Sequence, residues 1–149
     1  MTIRCEIVSQ DRMVYEGDAD IVLLPGAEGE MGILPNHAPL LTTLQYGIIT
    51  VRSGAVEEYF TVAGGFAEIQ PEIITILADA AENVAEIDIS RADEARRRAE
   101  QAIAGKVTRD ADSYLAIEAA LRRSNLRLDA VRRFRRGAKL PTRTDKAQD

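Results

Sequence analysis

Four groups of side chains in this sequence carry reactive or ligating potential. His37 is the only histidine. It stands in Pro35-Asn36-His37-Ala38-Pro39, a turn-forming context with no adjacent Asp or Cys to orient it as a general base. Glu28 and Glu30 form a carboxylate pair two residues apart in a glycine-rich stretch, a weak acid/base pattern. Gly26-Ala27-Glu28-Gly29 has the glycines of a phosphate loop but not the Lys that must follow them. Cys5 alternates with Ile3 and Ile7 and reads as a small apolar group. As the only cysteine it cannot close an internal disulfide. No G-x-S-x-G elbow occurs. Catalysis by this chain alone is not expected, and no metal ligand set presents itself.

These residues are held in a region of dense punctuation. Leu24 to Leu40 contains three of the five prolines and three of the ten glycines. Proline lacks a donor and glycine adds backbone entropy, so the stretch cannot be helix. Apolar runs at Ile21 to Leu24, Ile33-Leu34 and Leu40-Leu41 read as short strands joined by turns. Ile3, Cys5 and Ile7 alternate as a half-buried strand, and Met13 to Glu16 make a second. Gly47 to Arg52 and Glu57 to Val62 flank Ser53-Gly54, a hairpin signal. Gly64-Gly65 is expected to break the chain before Phe66 to Ile69, and Ile73 to Leu77 follow Pro71. This spacing predicts an all-β sandwich of about ten short strands over residues 1–86.

The period changes at Asp88. Ser90-Arg91-Ala92-Asp93 resembles a capping box with Asp in the Glu place. Ala92, Ala95, Ala99, Ala102 and Ile103 recur at helical spacing, and Gly105 supplies a stop. A second helix is expected from Asp110 or Asp112. Its seam is Tyr114, Ile117, Leu121, Ser124, Leu128 and Val131, which suits one partner helix. The predicted fold class is α+β: an N-terminal all-β sandwich followed by a C-terminal antiparallel two-helix hairpin over 87–136. The hairpin interface is thin enough to open. A polar tail, 137–149, is expected to be disordered.

Charge divides at the same place. Residues 1–86 carry three basic and fourteen acidic side chains, a net of −11, and residues 87–149 a net of +6. Two units with different partners are implied. No run reaches the roughly 20 apolar residues of a membrane span. The N-terminus lacks a signal or transit pattern, and one cysteine fits a reducing compartment. One alternative is a nucleic-acid module using the basic hairpin, but only Phe134 offers an aromatic there and the attached sandwich is acidic. Another is a small-ligand sandwich with a dimerising hairpin, but the two helices suit each other.

Leu24-Pro25-Gly26, Glu28-Gly29-Glu30, Gly32-Ile33-Leu34-Pro35 and His37-Ala38-Pro39-Leu40 resemble the signature of the epsilon subunit of bacterial F-type ATP synthases. Val62 to Ile69 and Ile74 to Asp79 extend the resemblance, which runs from about residue 3 to about residue 136. It implies a non-catalytic subunit of the rotor's central stalk, peripheral on the cytoplasmic face of the membrane and a monomer when isolated. The implied partners are the gamma subunit, the c ring and the alpha and beta subunits. Such a subunit couples proton flow to ATP synthesis and inhibits ATP hydrolysis when its hairpin extends.

By this resemblance Glu28, Gly29, Glu30, Met31 and Gly32 lie near the c ring. Arg122, Arg123, Arg127, Arg132 and Arg133, with Arg135 and Arg136, meet acidic groups of the beta subunit in the inhibitory state. No cofactor is required, and a regulatory ATP is the one ligand implied. The motif Ile87-Asp88-Ile89-Ser90-Arg91-Ala92 matches that of family members that bind ATP. Glu82, Asp88, Arg91, Ala92, Arg98, Arg123 and Arg127 match their ligand positions. Ser124-Asn125-Leu126 departs from the usual Ala-Met-Asn, which touches the base contacts.

Overall fold

The structure is a computed structural model that describes residues 1–105 and 110–135. The chain divides after Glu86 into two compact units. The first contains β1 (Ile3–Val8), β2 (Met13–Ala19), β3 (Ile21–Gly26), β4 (Gly29–Ile33), β5 (Leu40–Ser53), β6 (Val56–Ile69), β7 (Ile73–Ala78) and β8 (Ala81–Asn83). A 3₁₀ turn, Val84–Glu86, ends it. The described strands therefore number eight rather than about ten. The difference lies in β5 and β6, each 14 residues long. Where the sequence reading ends a strand at Gly64-Gly65, β6 continues through both glycines.

That continuation builds the sandwich. Strand order is β2-β1-β7-β6-β5-β3-β4, with β8 also on β6. β7 pairs with the end of β6, from Gly65 to Ile69, whereas β8 pairs with its earlier part, from Phe60 to Val62. The long β5–β6 ribbon thus serves both layers and turns the corner between them. At the corner, Gly64 and Gly65 have φ of 86° and 119°, values that L side chains rarely adopt. A Cβ on Gly65 would also stand 2.3 Å from the carbonyl oxygen of Leu77. Hydrogen bonds from Asp79 N to Gly64 O and from Ala63 N to Ala80 O carry the β7–β8 connection around the same bend.

Alternation supplies the core. Ile3, Cys5 and Ile7 of β1 are buried between outward-facing Arg4, Glu6 and Val8. They meet Ile74 and Ile76 of β7 and Ala67 and Ile69 of β6, and from the other layer Val22, Leu24, Ile33, Ile49, Val51, Phe60 and Val62. Tyr15 packs its ring 5.2 Å from that of Phe60, tying β2 across to the second layer. β1 lies antiparallel to β2 but parallel to β7, with Arg4 opposite Ile73 and Val8 opposite Leu77.

The second unit is a pair of helices, α1 (Ile89–Ala104) and α2 (Ala111–Phe134). They run antiparallel, because a guanidinium nitrogen of Arg135, just past α2, donates to the carbonyl of Ile87, just before α1, at 2.9 Å. The expected capping box at Ser90 is corrected. Asp88 is the N-cap, accepting from Arg91 N at 3.0 Å, so the helix starts two residues earlier. Asp110 caps α2 by accepting from Ser113 N. Those Ser113 hydrogen bonds hold its carboxyl below the usual range. Gly105 ends α1 as expected, though with a right-handed φ of −78°. The α2 seam is buried only in its second half: Ser124, Leu128 and Val131 are buried, while Tyr114 is exposed. No described helix is long and apolar enough to cross a membrane. The expected tail, and Arg136, lie outside the described residues.

Two measurements check this packing. Gly65→Ala should destabilise the sandwich by about 3 kcal/mol, from backbone strain and the clash with Leu77, read as a shift in denaturant midpoint. Burial first, and Glu6 second, push the Cys5 thiol from 9.0 up to about 12. The folded state therefore keeps a proton that the unfolded state releases above pH 9, and this component of stability is lost as pH climbs from 9 toward 12. Between pH 8 and pH 10, wild type should lose about 1.4 kcal/mol more stability than Cys5→Ala.

Candidate functional site

Glu28 and Glu30 sit at the tip of a tight hairpin. Gly26 pairs with Gly29, leaving Ala27-Glu28 as a two-residue turn, and Gly29, Glu30, Met31 and Gly32 form β4. Gly29 adopts φ of 133°, which closes the hairpin tightly. Glu28, Gly29, Glu30 and Gly32 are exposed and Met31 is half-buried against the core. Gln45 donates to the Ala27 carbonyl at 2.6 Å and braces the turn against β5. The result is an acidic fingertip at the end of a tight hairpin. His37 is used locally, its Nδ1 lying 2.7 Å from the Ala38 carbonyl.

A larger surface feature is absent from the sequence reading. On the outer face of the first layer, β-register places Leu41 beside Glu68, Phe66 beside Leu77, and Leu77 beside Val8, which pairs with Met13. Leu41 is 68% exposed, and Phe66, Leu77 and Met13 are each more than two-fifths exposed. The result is an exposed apolar stripe from Phe66 through Leu77 and half-buried Val8 to Met13, with Leu41 set diagonally beyond it, opposite Glu68. The period-2 pattern hides such a stripe, because an apolar residue at an outward position reads as a continued core run. Further along this face Arg4 binds Glu16 and approaches Glu6 and Asp18 at 3.7 and 3.8 Å, so the stripe has a charged border.

The hairpin brings some of the expected ligand residues together. Asp88 caps Arg91 through one carboxylate oxygen and lies 3.8 Å from its guanidinium through the other. Arg91 and Arg98 are exposed two turns apart on α1. Arg123 is exposed and Arg127 half-buried, one turn apart on α2. From the Ile87–Arg135 contact and the tip at Gly105 and Asp110, helix rise sets Arg91 level with roughly residues 124–131 and Arg98 level with roughly 117–124. Both arginine pairs therefore occupy the same span of the hairpin. Ala92 is fully buried and acts here as packing. Glu82 belongs to the other unit, half-buried on β8.

Two arginine networks escape the sequence reading. Buried Asp93 takes Arg96 at 2.5 Å and Arg97 at 3.0 Å. The i, i+3 and i, i+4 spacing was the available signal. Arg135, grouped by the resemblance with the arginines that meet the beta subunit in the inhibitory state, here holds the Ile87 carbonyl. Arg133 lies 5.1 Å over the Phe134 ring, and Arg132, exposed, approaches Asp129 at 3.9 Å. Arg122 stays on the exposed surface of α2.

Comparison with known proteins agrees with this anatomy. Residues 2–84 match the family model of the ATP synthase delta/epsilon chain β-sandwich domain, and residues 85–132 that of its long α-helix domain. The ATP synthase epsilon chain of Dehalococcoides mccartyi is 43% identical over 136 residues, covering 90% of this chain and 95% of the relative. That of Acidithiobacillus ferridurans is 45% identical over 135 residues, covering 91% and 94%. A chain in the Euglena gracilis mitochondrial ATP synthase superposes with a TM-score of 0.70 at 24% identity, over 87% of this chain and 81% of that one. A chain of the Tetrahymena thermophila central stalk and c-ring structure gives 0.56 at 14% identity, over 87% and 96%. These two solved structures share the fold. With both family models matched end to end and relatives above 40% identity over nine-tenths of its length, the chain belongs to the ATP synthase delta/epsilon chain family.

Proposed function

We propose that this chain is a non-catalytic central-stalk subunit of a proton-translocating ATP synthase, coupling proton flow to ATP synthesis and restraining ATP hydrolysis through its hairpin. The observation that carries the reading is the exposed apolar stripe of Phe66, Leu77 and Met13, with Leu41 set diagonally beside it, on the outer face of the sandwich. A contiguous apolar face on a folded unit marks a docking surface. The gamma subunit is the partner that fits it. The acidic fingertip, Glu28 to Gly32, then meets the polar loops of the c ring, and this subunit sits peripherally on the cytoplasmic face of the membrane.

Regulation rests on the hairpin. In the closed hairpin the exposed arginines of α2 face solvent. In an extended state Arg122, Arg123, Arg127, Arg132 and Arg133 meet carboxylates of the beta subunit, and opposite charge fixes the register of that contact. ATP opposes extension by binding the closed form. Arg91, Arg98, Arg123 and Arg127 take its phosphates by charge-assisted hydrogen bonds. Asp88, with lone pairs left after capping, accepts hydroxyl or amine protons. Ala92 lets the helices approach closely. A ligand that prefers the closed form stabilises it by RT ln(1 + [L]/Kd), about 2.7 kcal/mol at a hundredfold excess. Low ATP therefore favours the inhibitory form.

Two experiments test the two parts separately. Leu41→Asp with Phe66→Asp should weaken capture of the gamma subunit by about a hundredfold, as loss of a central apolar anchor does, with the thermal transition of the sandwich unchanged. Undiminished capture would move the docking surface elsewhere. ATP titration by calorimetry should give saturable binding to wild type and none to Arg91→Ala with Arg127→Ala. Absence of wild-type binding at millimolar ATP would remove nucleotide from the mechanism and leave the coupling role intact.

A further inference from the structure

We infer that Arg135 is the clasp that holds the helical hairpin closed, by gripping the carbonyl of the residue at which the second unit begins. The inference deepens the regulatory reading above and concerns the same hairpin. Its starting point is the carbonyl of Ile87. In a helix that began earlier, this carbonyl would accept from Arg91 N. Here the Asp88 carboxylate occupies Arg91 N, and the first backbone bond of the helix runs from Ala92 N to Asp88 O. The cap therefore leaves the Ile87 carbonyl outside the helical ladder. Ile87 is itself 3% exposed, and a buried carbonyl without a donor is costly. Arg135 supplies that donor from 48 residues away, at 2.9 Å.

The far end of the contact is equally well prepared. Arg135 is the C-cap of α2, its own N–H bonded to Val131 O. Its positive side chain therefore lies at the negative end of the α2 dipole, where a cation is favoured. One guanidinium thus reaches from the end of α2 to the orphaned carbonyl before α1, joining the two ends of the hairpin at its base; the positive end of the α1 dipole offsets the negative end of α2 there, so the hydrogen bond carries the contact. Because Ile87 follows the boundary between the units, α2 cannot swing away from α1 without releasing it. Asp88 and Arg91 stand one and four residues beyond Ile87. Closing the clasp therefore also sets the position of two of the residues proposed to hold ATP. Sequence alone places Arg135 in a run of interchangeable arginines, Arg132, Arg133, Arg135 and Arg136. Geometry separates it from Arg132, which is 69% exposed in its side chain and meets only Asp129 on its own helix among the ion pairs described.

The test uses the full chain with a thiol reporter. Ser124 is buried on α2, so Ser124→Cys becomes reactive only when the helices part. Buried Cys5, its thiol pushed up to about 12, stays silent at pH 7. Maleimide labelling of residue 124 is timed in the Arg135, Arg135→Ala and Arg132→Ala backgrounds. Loss of a charge-assisted hydrogen bond to a buried acceptor should speed labelling about tenfold in Arg135→Ala, with Arg132→Ala at the parent rate. Arg135→Lys, which keeps the charge and donor capacity on a shorter side chain without the planar fork, should fall between. Equal rates in Arg135→Ala and Arg132→Ala would overturn the clasp. Repeating the series with ATP separates this from the nucleotide reading. Faster labelling in Arg135→Ala with no ATP effect on any background supports the clasp and removes ATP. Slower labelling with ATP in every background, with Arg135→Ala matching Arg132→Ala, keeps ATP and removes the clasp.

Discussion

The bend of one two-stranded ribbon is the constraint on which the first unit depends. β5 and β6 are each long enough to belong to both layers, and the glycines at 64 and 65 let β6 change direction without losing its partners. With that bend a single sheet covers its own apolar face. Without it, Ile3, Cys5, Ile7, Ile74 and Ile76 would face solvent instead of Val22, Leu24, Ile49 and Phe60. Hydrogen bonding through the corner matters as much as the glycines, because a buried backbone group left unpaired would offset much of the packing. The outer stripe of Leu41, Phe66 and Leu77 is positioned by the same ribbon, since Phe66 stands one residue past the corner.

The two units differ in how they are held. The sandwich has a contiguous apolar core drawn from seven of its strands. The hairpin is lined largely by alanine, with Leu128 and Val131 as the bulky exceptions, and leans on caps, ion pairs and the Arg135–Ile87 contact. Burial of small side chains gives little per residue at roughly 25 cal/mol per Å². A unit of this kind sits near the low end of local stability, where switching elements are found. The charge split follows the same division: a net of −11 on the rigid unit and +6 on the remainder.

Much of this organisation was legible in the sequence. The alternation of Ile3, Cys5 and Ile7, the Ser53-Gly54 hairpin signal and the change of period at Asp88 each rest on local chemistry; the first and last stand where the sequence puts them, and the hairpin turns one residue later, at Gly54-Ala55 between the paired Ser53 and Val56. The misreadings share a cause. Gly64-Gly65 was read as a break because a glycine pair is a breaker locally, whereas tertiary pairing with β5 and β7 kept the strand intact. Ser90-Arg91-Ala92-Asp93 has the local pattern of a capping box, while the backbone puts the cap at Asp88 two residues earlier. The apolar stripe and the role of Arg135 were illegible for a different reason. Both depend on which residues a fold places side by side from distant parts of the chain. The family motif supplied what periodicity could not, the likeness of the Asp88 to Ala92 segment and of the distant arginines to one ligand set.

The parallel pairing of β1 with β7 carries a consequence for synthesis. Arg4 must find Ile73, and Val8 must find Leu77. Contacts of such separation fold slowly. On the ribosome, the first strand leaves the exit tunnel long before its partner is made, with only β2 beside it. Its open edge is held until β7 is made, about halfway along the chain, in an interval when nascent strands are prone to wrong pairing. Arg4 and Glu6 on its outward face, and Arg4's ion pairs with β2, put charge beside that waiting edge, which discourages a second nascent chain from adding to it.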